Sequence, residues 1–127
     1  MEIKVYRGAG KLQHIIDIGK HRLLTDEPAE VGGEDTGPAP HDLLAASLGA
    51  CTALTVTLYA RHKQFDLQDV QVRIDHAQDG DAYVFTRHVH YVGQLDEAQR
   101  ARMTAVANKC PIHKLLSGQF NIITEEE

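Results

Sequence analysis

Two cysteines, Cys51 and Cys110, are the side chains in this sequence best suited to covalent chemistry. A thiolate is a nucleophile, and two thiols can cycle through a disulfide, one attacking and the other resolving. Attack requires the anion, which a nearby cation or a helix start stabilises. Cys51 acquires a helix start if the segment around it breaks at Gly49; otherwise an arginine must reach it from elsewhere. The same two residues also suit a plain hydrophobic core, because free cysteine is among the most buried residue types. They do not form Cys-x-x-Cys, so a thioredoxin-type motif is absent. Two cysteines are too few for a disulfide scaffold or an all-cysteine zinc site. Ser47 lacks the G-x-S-x-G setting of a hydrolase nucleophile. There is no phosphate loop or dinucleotide fingerprint. Of the eight histidines, His88 and His90 share one strand face. No Cys/His spacing matches a zinc module, so they are expected to face solvent, with neither metal nor cofactor bound.

The elements that must position these residues follow from periodicity and punctuation. Residues 2–7 and 12–18 read as strands around a Gly8-Ala9-Gly10-Lys11 turn, and 21–25 as a third. Residues 26–40 are rich in Gly, Pro and acid, which predicts a solvated loop. A long helix spans 41–63. Pro40 and Asp42 suit its start, and Arg61, His62 and Lys63 suit its end. Val70, Val72 and Ile74 alternate with polar residues, and Gln78-Asp79-Gly80-Asp81 turns the chain into a strand over 82–92. Asp96 predicts an N-cap with Gln99 as its capping-box partner. The helix it opens, from 97 to about 109, puts Met103, Val106, Ala107 and Cys110 on one face and ends at Pro111. A last strand is expected over 119–124. The order is βββ-α-ββ-α-β, an α+β fold with antiparallel sheets.

The 127 residues make one domain, 1–127, and a net charge of −5 argues against a general nucleic-acid binder. With no Trp and 6% aromatics, the core must be built from Leu, Ile, Val and Ala. No secretory signal or lipidation motif is recognisable, so the cytoplasm is the expected compartment. Residues 43–60 carry no charge and sit near the lower length limit of a membrane span. Ser47, Gly49, Thr52, Thr55 and Thr57 favour a buried central helix instead, with no membrane partner. That helix is apolar nearly all round, and one small sheet covers only one side. A second copy of the chain is the simplest cover, which predicts a homodimer.

The run Gly37-Pro38-Ala39-Pro40-His41-Asp42-Leu43-Leu44-Ala45-Ala46-Ser47-Leu48-Gly49-Ala50-Cys51-Thr52 resembles the first-cysteine motif of the OsmC/Ohr family, the osmotically inducible and organic hydroperoxide resistance proteins. Asn108-Lys109-Cys110-Pro111-Ile112-His113 resembles its second-cysteine motif. The loop from Leu24 through Gly33 is similar to that of the OsmC-like branch. The resemblance implies an intertwined homodimer whose central helices pack between antiparallel sheets. It implies thiol-dependent reduction of organic hydroperoxides, or of hydrogen peroxide, in oxidative-stress defence. Cys51 would be the peroxidatic cysteine and Cys110 the resolving one, with a dithiol reductant reopening the disulfide. Family hydroperoxidases carry Glu where this chain has His41, beside Asp42. The family also stabilises its thiolate with an arginine from the N-terminal region. Arg22 is the candidate preferred here, with Arg7 and Lys11 as alternatives. A second reading is a non-catalytic fold-mate that binds a small ligand or senses redox or metal status.

Overall fold

The computed structural model describes residues 1–127. The first three apolar-polar runs form β1 (Ile3–Arg7), β2 (His14–Ile18) and β3 (His21–Thr25). They make an antiparallel meander in that order. Gly10 and Gly19 lie in its two turns at φ 71° and 58°, a left-handed conformation that glycine adopts without a Cβ penalty. The loop after β3 is organised by a buried carboxylate. Asp26 is 3% exposed. It accepts the backbone N–H groups of Glu27 (2.8 Å), Glu34 (3.3 Å) and Thr36 (3.1 Å), and the Thr36 hydroxyl at 2.6 Å. These bonds, the Thr36 hydroxyl first, hold its pKa down at about 2. The expected loop thus carries more order than its composition implies, including a 3-10 turn at Ala29–Val31.

Residues 1–44 and 45–127 form two compact units. The long helix α1 (Pro40–Lys63) begins in the first and runs into the second. The second unit continues with β4 (Asp66–Asp79), β5 (Ala82–Gln94), α2 (Glu97–Ala107) and α3 (Pro111–Leu116). β4 and β5 pair antiparallel, with a register shift between Leu67 and Asp69. The shift moves the covered positions of β4 from Leu67 to Val70, Val72, Ile74 and His76. On β5 the covered positions are Tyr83, Phe85, Arg87, Val89 and Tyr91. The core joins Val56 and Ala60 of α1, Tyr91 of β5, and Met103 and Ala107 of α2. Asp96 caps α2 with the full capping box expected from Gln99.

α1 buries Ala45, Leu48, Thr52, Val56 and Ala60, residues three or four apart and therefore on one face. Leu44, Leu54 and Leu58 remain 42%, 65% and 61% exposed. By length and composition α1 is also long and apolar enough to cross a membrane.

Three expectations require correction. α1 does not break at Gly49; it is helical without interruption from Pro40 to Lys63. A Cβ at Gly49 would lie 3.3 Å from Ile74 Cδ1 and 4.0 Å from Val72 Cγ1, so the glycine admits side chains of β4 rather than a kink. Cys51 therefore lies within a continuous helix and has no helix start beside it. Pro111 does not merely end the second helix: α2 stops at Ala107, and Pro111 opens α3 with Cys110 as N-cap. Residues 119–124 form no strand. A strand needs a neighbour for its backbone groups, and neither sheet pairs with this segment. Phe120, Ile122 and Ile123 are 57%, 86% and 78% exposed. The observed order is βββ-α-ββ-αα, still α+β with antiparallel sheets.

Candidate active site

Both cysteines are free thiols, and the second unit brings them together. Cys51 projects from α1 and is half-buried, with its Sγ 3.8 Å from Thr55 Oγ1. Cys110 is fully buried at the N-cap of α3. Its sulfur accepts the backbone N–H of His113 at 3.3 Å, and the Cys51 side chain is near enough to help lower its pKa. Thr52, also fully buried, donates to the Leu48 carbonyl at 2.7 Å, and its oxygen is 4.0 Å from Cys110 Sγ.

The cation beside this pair is Arg87. Its Nη1 donates to Thr52 Oγ1 at 3.0 Å; its Nη2 donates to Asn108 Oδ1 at 2.9 Å and to His113 Nδ1 at 3.1 Å. Burial pushes the Cys110 thiol up. The His113 N–H, Cys51, Thr52 and the Arg87 charge pull the other way and win, leaving it below its ordinary value. Arg87 was not among the sequence candidates. Its signal was the period-two pattern of β5, which places it between Phe85 and Val89 on the covered face. A charge there requires polar partners.

The N-terminal candidates are otherwise engaged. Arg22 on β3 donates from Nε to Asp17 Oδ1 at 2.7 Å and from Nη2 to Asp17 Oδ2 and the Tyr6 hydroxyl at 3.1 and 2.9 Å. The pairing lowers the Asp17 carboxyl, through its bonds from Arg22 and then Tyr6, and raises Arg22. Arg7 Nη2 donates to the Gly10 carbonyl at 2.9 Å and braces the first turn. Lys11 donates its backbone N–H to Glu34 Oε1 at 2.8 Å. His41 and Asp42 lie in the first turn of α1, exposed. His88 and His90 occupy the outward face of β5, His88 Nε2 being 3.3 Å from Asp75 Oδ2.

A cavity of about 430 Å³ adjoins the guanidinium. It is lined by Leu48 from α1, by Tyr83, Phe85 and Arg87 from β5, and by Asn108, His113, Leu116 and Ser117 from the α2–α3 segment.

A family model described as OsmC-like protein matches residues 32–125. The chain belongs to the OsmC family. Solved structures of the family share its fold. An osmotic stress induced and detoxification response protein of Psychrobacter arcticus is 22% identical, with a TM-score of 0.77 over 89% of this chain and 85% of its own. An organic hydroperoxide resistance protein of Legionella pneumophila is 22% identical, with a TM-score of 0.66 over 93% and 90%. The organic hydroperoxide resistance protein OhrB of Bacillus subtilis is also 22% identical, with a TM-score of 0.58 over 93% and 92%. No curated protein matches the chain.

Proposed function

We propose that this OsmC family member is a thiol-dependent peroxidase that reduces organic hydroperoxides through Cys51 and Cys110. The observation that carries the reading is a half-buried thiol, Cys51, beside a fully buried one, Cys110, whose pKa it helps to lower, with Arg87 one hydroxyl away. In such a pair one negative charge is shared between two sulfurs. The buried sulfur holds the anion through the His113 N–H and acts as the local base. It takes the Cys51 proton, and the Cys51 thiolate attacks the terminal peroxide oxygen. An S–O bond forms and the O–O bond breaks. Cys51 becomes a sulfenic acid, and the alkoxide leaves to take a proton from water as the alcohol. Cys110 then condenses with the sulfenic acid to a disulfide, releasing water, and a dithiol reductant restores both thiols. Arg87 replaces Arg22 as the cation we assign to the thiol pair; guanidinium stays charged throughout.

The working unit is a homodimer in the cytoplasm, acting in oxidative-stress defence. The uncovered stripe of α1 supports the dimer. Cys51 lies seven residues from both Leu44 and Leu58 in the sequence, so a partner packed on these leucines also encloses the attacking thiol. Purified protein supplied with a dithiol is expected to consume cumene hydroperoxide, and Cys51→Ser to abolish turnover. Absence of turnover with a range of dithiols and hydroperoxides overturns the reading.

A further inference from the structure

The polar end of the cavity has an unusual hydrogen-bond inventory. A guanidinium can only donate. Asn108 therefore meets Arg87 with its carbonyl oxygen, and His113 meets it with an unprotonated Nδ1. Both orientations follow from Arg87, and both leave only donors on the remaining atoms: the Asn108 amide NH₂ and the His113 Nε2–H. The Ser117 hydroxyl donates to the His113 carbonyl at 2.9 Å. Arg87 itself bonds through its two Nη atoms, and its acceptors are a hydroxyl, an amide and an imidazole. No carboxylate pairs with it. It is the only Lys, Arg, Asp or Glu lining the cavity, in a chain whose net charge is −5. This end is thus rich in donors, carries a guanidinium and has no carboxylate of its own.

The other end is apolar. The Tyr83 and Phe85 rings lie 5.3 Å apart, and the Tyr83 hydroxyl is 2.6 Å from His76 Nδ1, which turns its polar tip to the strand. Leu48 and Leu116 complete the lining. The volume, about 430 Å³, falls within the range of small-molecule sites.

We propose that this cavity binds a small organic anion, its carboxylate held at the Arg87–Asn108–His113 end and its aromatic or branched apolar body against Tyr83, Phe85, Leu48 and Leu116. The site shares Arg87 with the thiol pair, but its occupancy does not depend on turnover. An anion here pairs with the same guanidinium that faces Thr52, so carboxylate binding and thiol reactivity are linked.

Calorimetric titration with benzoate and with its neutral isostere benzamide tests the site. Benzoate is expected to bind about 10- to 100-fold more tightly, the discrimination of one charge-assisted hydrogen bond. Added salt should narrow the gap. Asn108 is exposed, so Asn108→Asp should fold normally while giving Arg87 an internal carboxylate; it is expected to abolish the preference for benzoate. Leu116→Trp, which fills the apolar end, should weaken both ligands. Equal or absent binding of benzoate and benzamide to the wild-type protein overturns the proposal. So does an undiminished preference in folded Asn108→Asp. Because no step requires a peroxide, a protein that binds benzoate but fails to turn over hydroperoxides would refute the peroxidase reading alone.

Discussion

Arg87 is the one cation placed beside the thiol pair, bonded to Thr52, Asn108 and His113. Burial raises the Cys110 thiol, the His113 N–H leads the groups that lower it, and the Arg87 charge, one hydroxyl away across Thr52, adds to them. Arg87→Gln is expected to move the pH midpoint of thiol alkylation by iodoacetamide upward and to slow the reaction at neutral pH; an unchanged profile would remove Arg87 from this role. Thr52→Val, which deletes the bridging hydroxyl but keeps the shape, should shift the profile the same way. The two cysteines were legible in the sequence because their local motifs are specific. The arginine beside them was not. Arg22, the N-terminal candidate, pairs instead with Asp17 and Tyr6, a cross-strand arrangement set by the β2–β3 register. Arg87 sat in plain view on an alternating strand, but which charged residue finds buried partners depends on Thr52, Asn108 and His113 converging from three other segments.

At the scale of elements, the caps and turns were the most legible features because their chemistry is local. The Asp96–Gln99 box is one, and Asp96→Ala is expected to destabilise the protein by about 1 kcal/mol in a denaturant titration. The role of Gly49 has no local signal, because it depends on β4. Helix propensity alone favours alanine there by about 1 kcal/mol, but Ile74 Cδ1 stands 3.3 Å from the added Cβ. Gly49→Leu should therefore cost roughly 1–3 kcal/mol of stability through overpacking. The Asp26 cradle was also hidden, because its four donors, from Glu27, Glu34 and Thr36, leave no sequence pattern in an acidic loop. Its folded pKa of about 2 lies below the ordinary aspartate value of 3.8. The carboxylate thus contributes stability above the unfolded value, and that contribution disappears as pH falls through about 2. Asp26→Asn should lower the Tm near neutral pH, with the difference from wild type shrinking towards pH 2.

For the whole molecule, the uncovered stripe of α1 decides the account. Leu54 and Leu58 are more than half exposed in one chain, on a helix whose opposite face is fully packed. Light scattering is expected to give twice the chain mass of 14.1 kDa, and Leu58→Asp to shift the protein towards monomer. The missing strand at 119–124 belongs to the same scale. Its alternating apolar residues were legible, but a strand needs a paired edge, and no strand of either sheet pairs with this segment. The central claim concerns the cycle of the intact protein, and one measurement addresses it most directly. Fully reduced protein is treated with one equivalent of cumene hydroperoxide and mapped by peptide mass spectrometry. The account predicts a disulfide between Cys51 and Cys110 in the wild type, arrest at a Cys51 sulfenic acid in Cys110→Ser, and no reaction in Cys51→Ser. Peroxide-driven oxidation that persists in Cys51→Ser, or that never links the two cysteines, would contradict it.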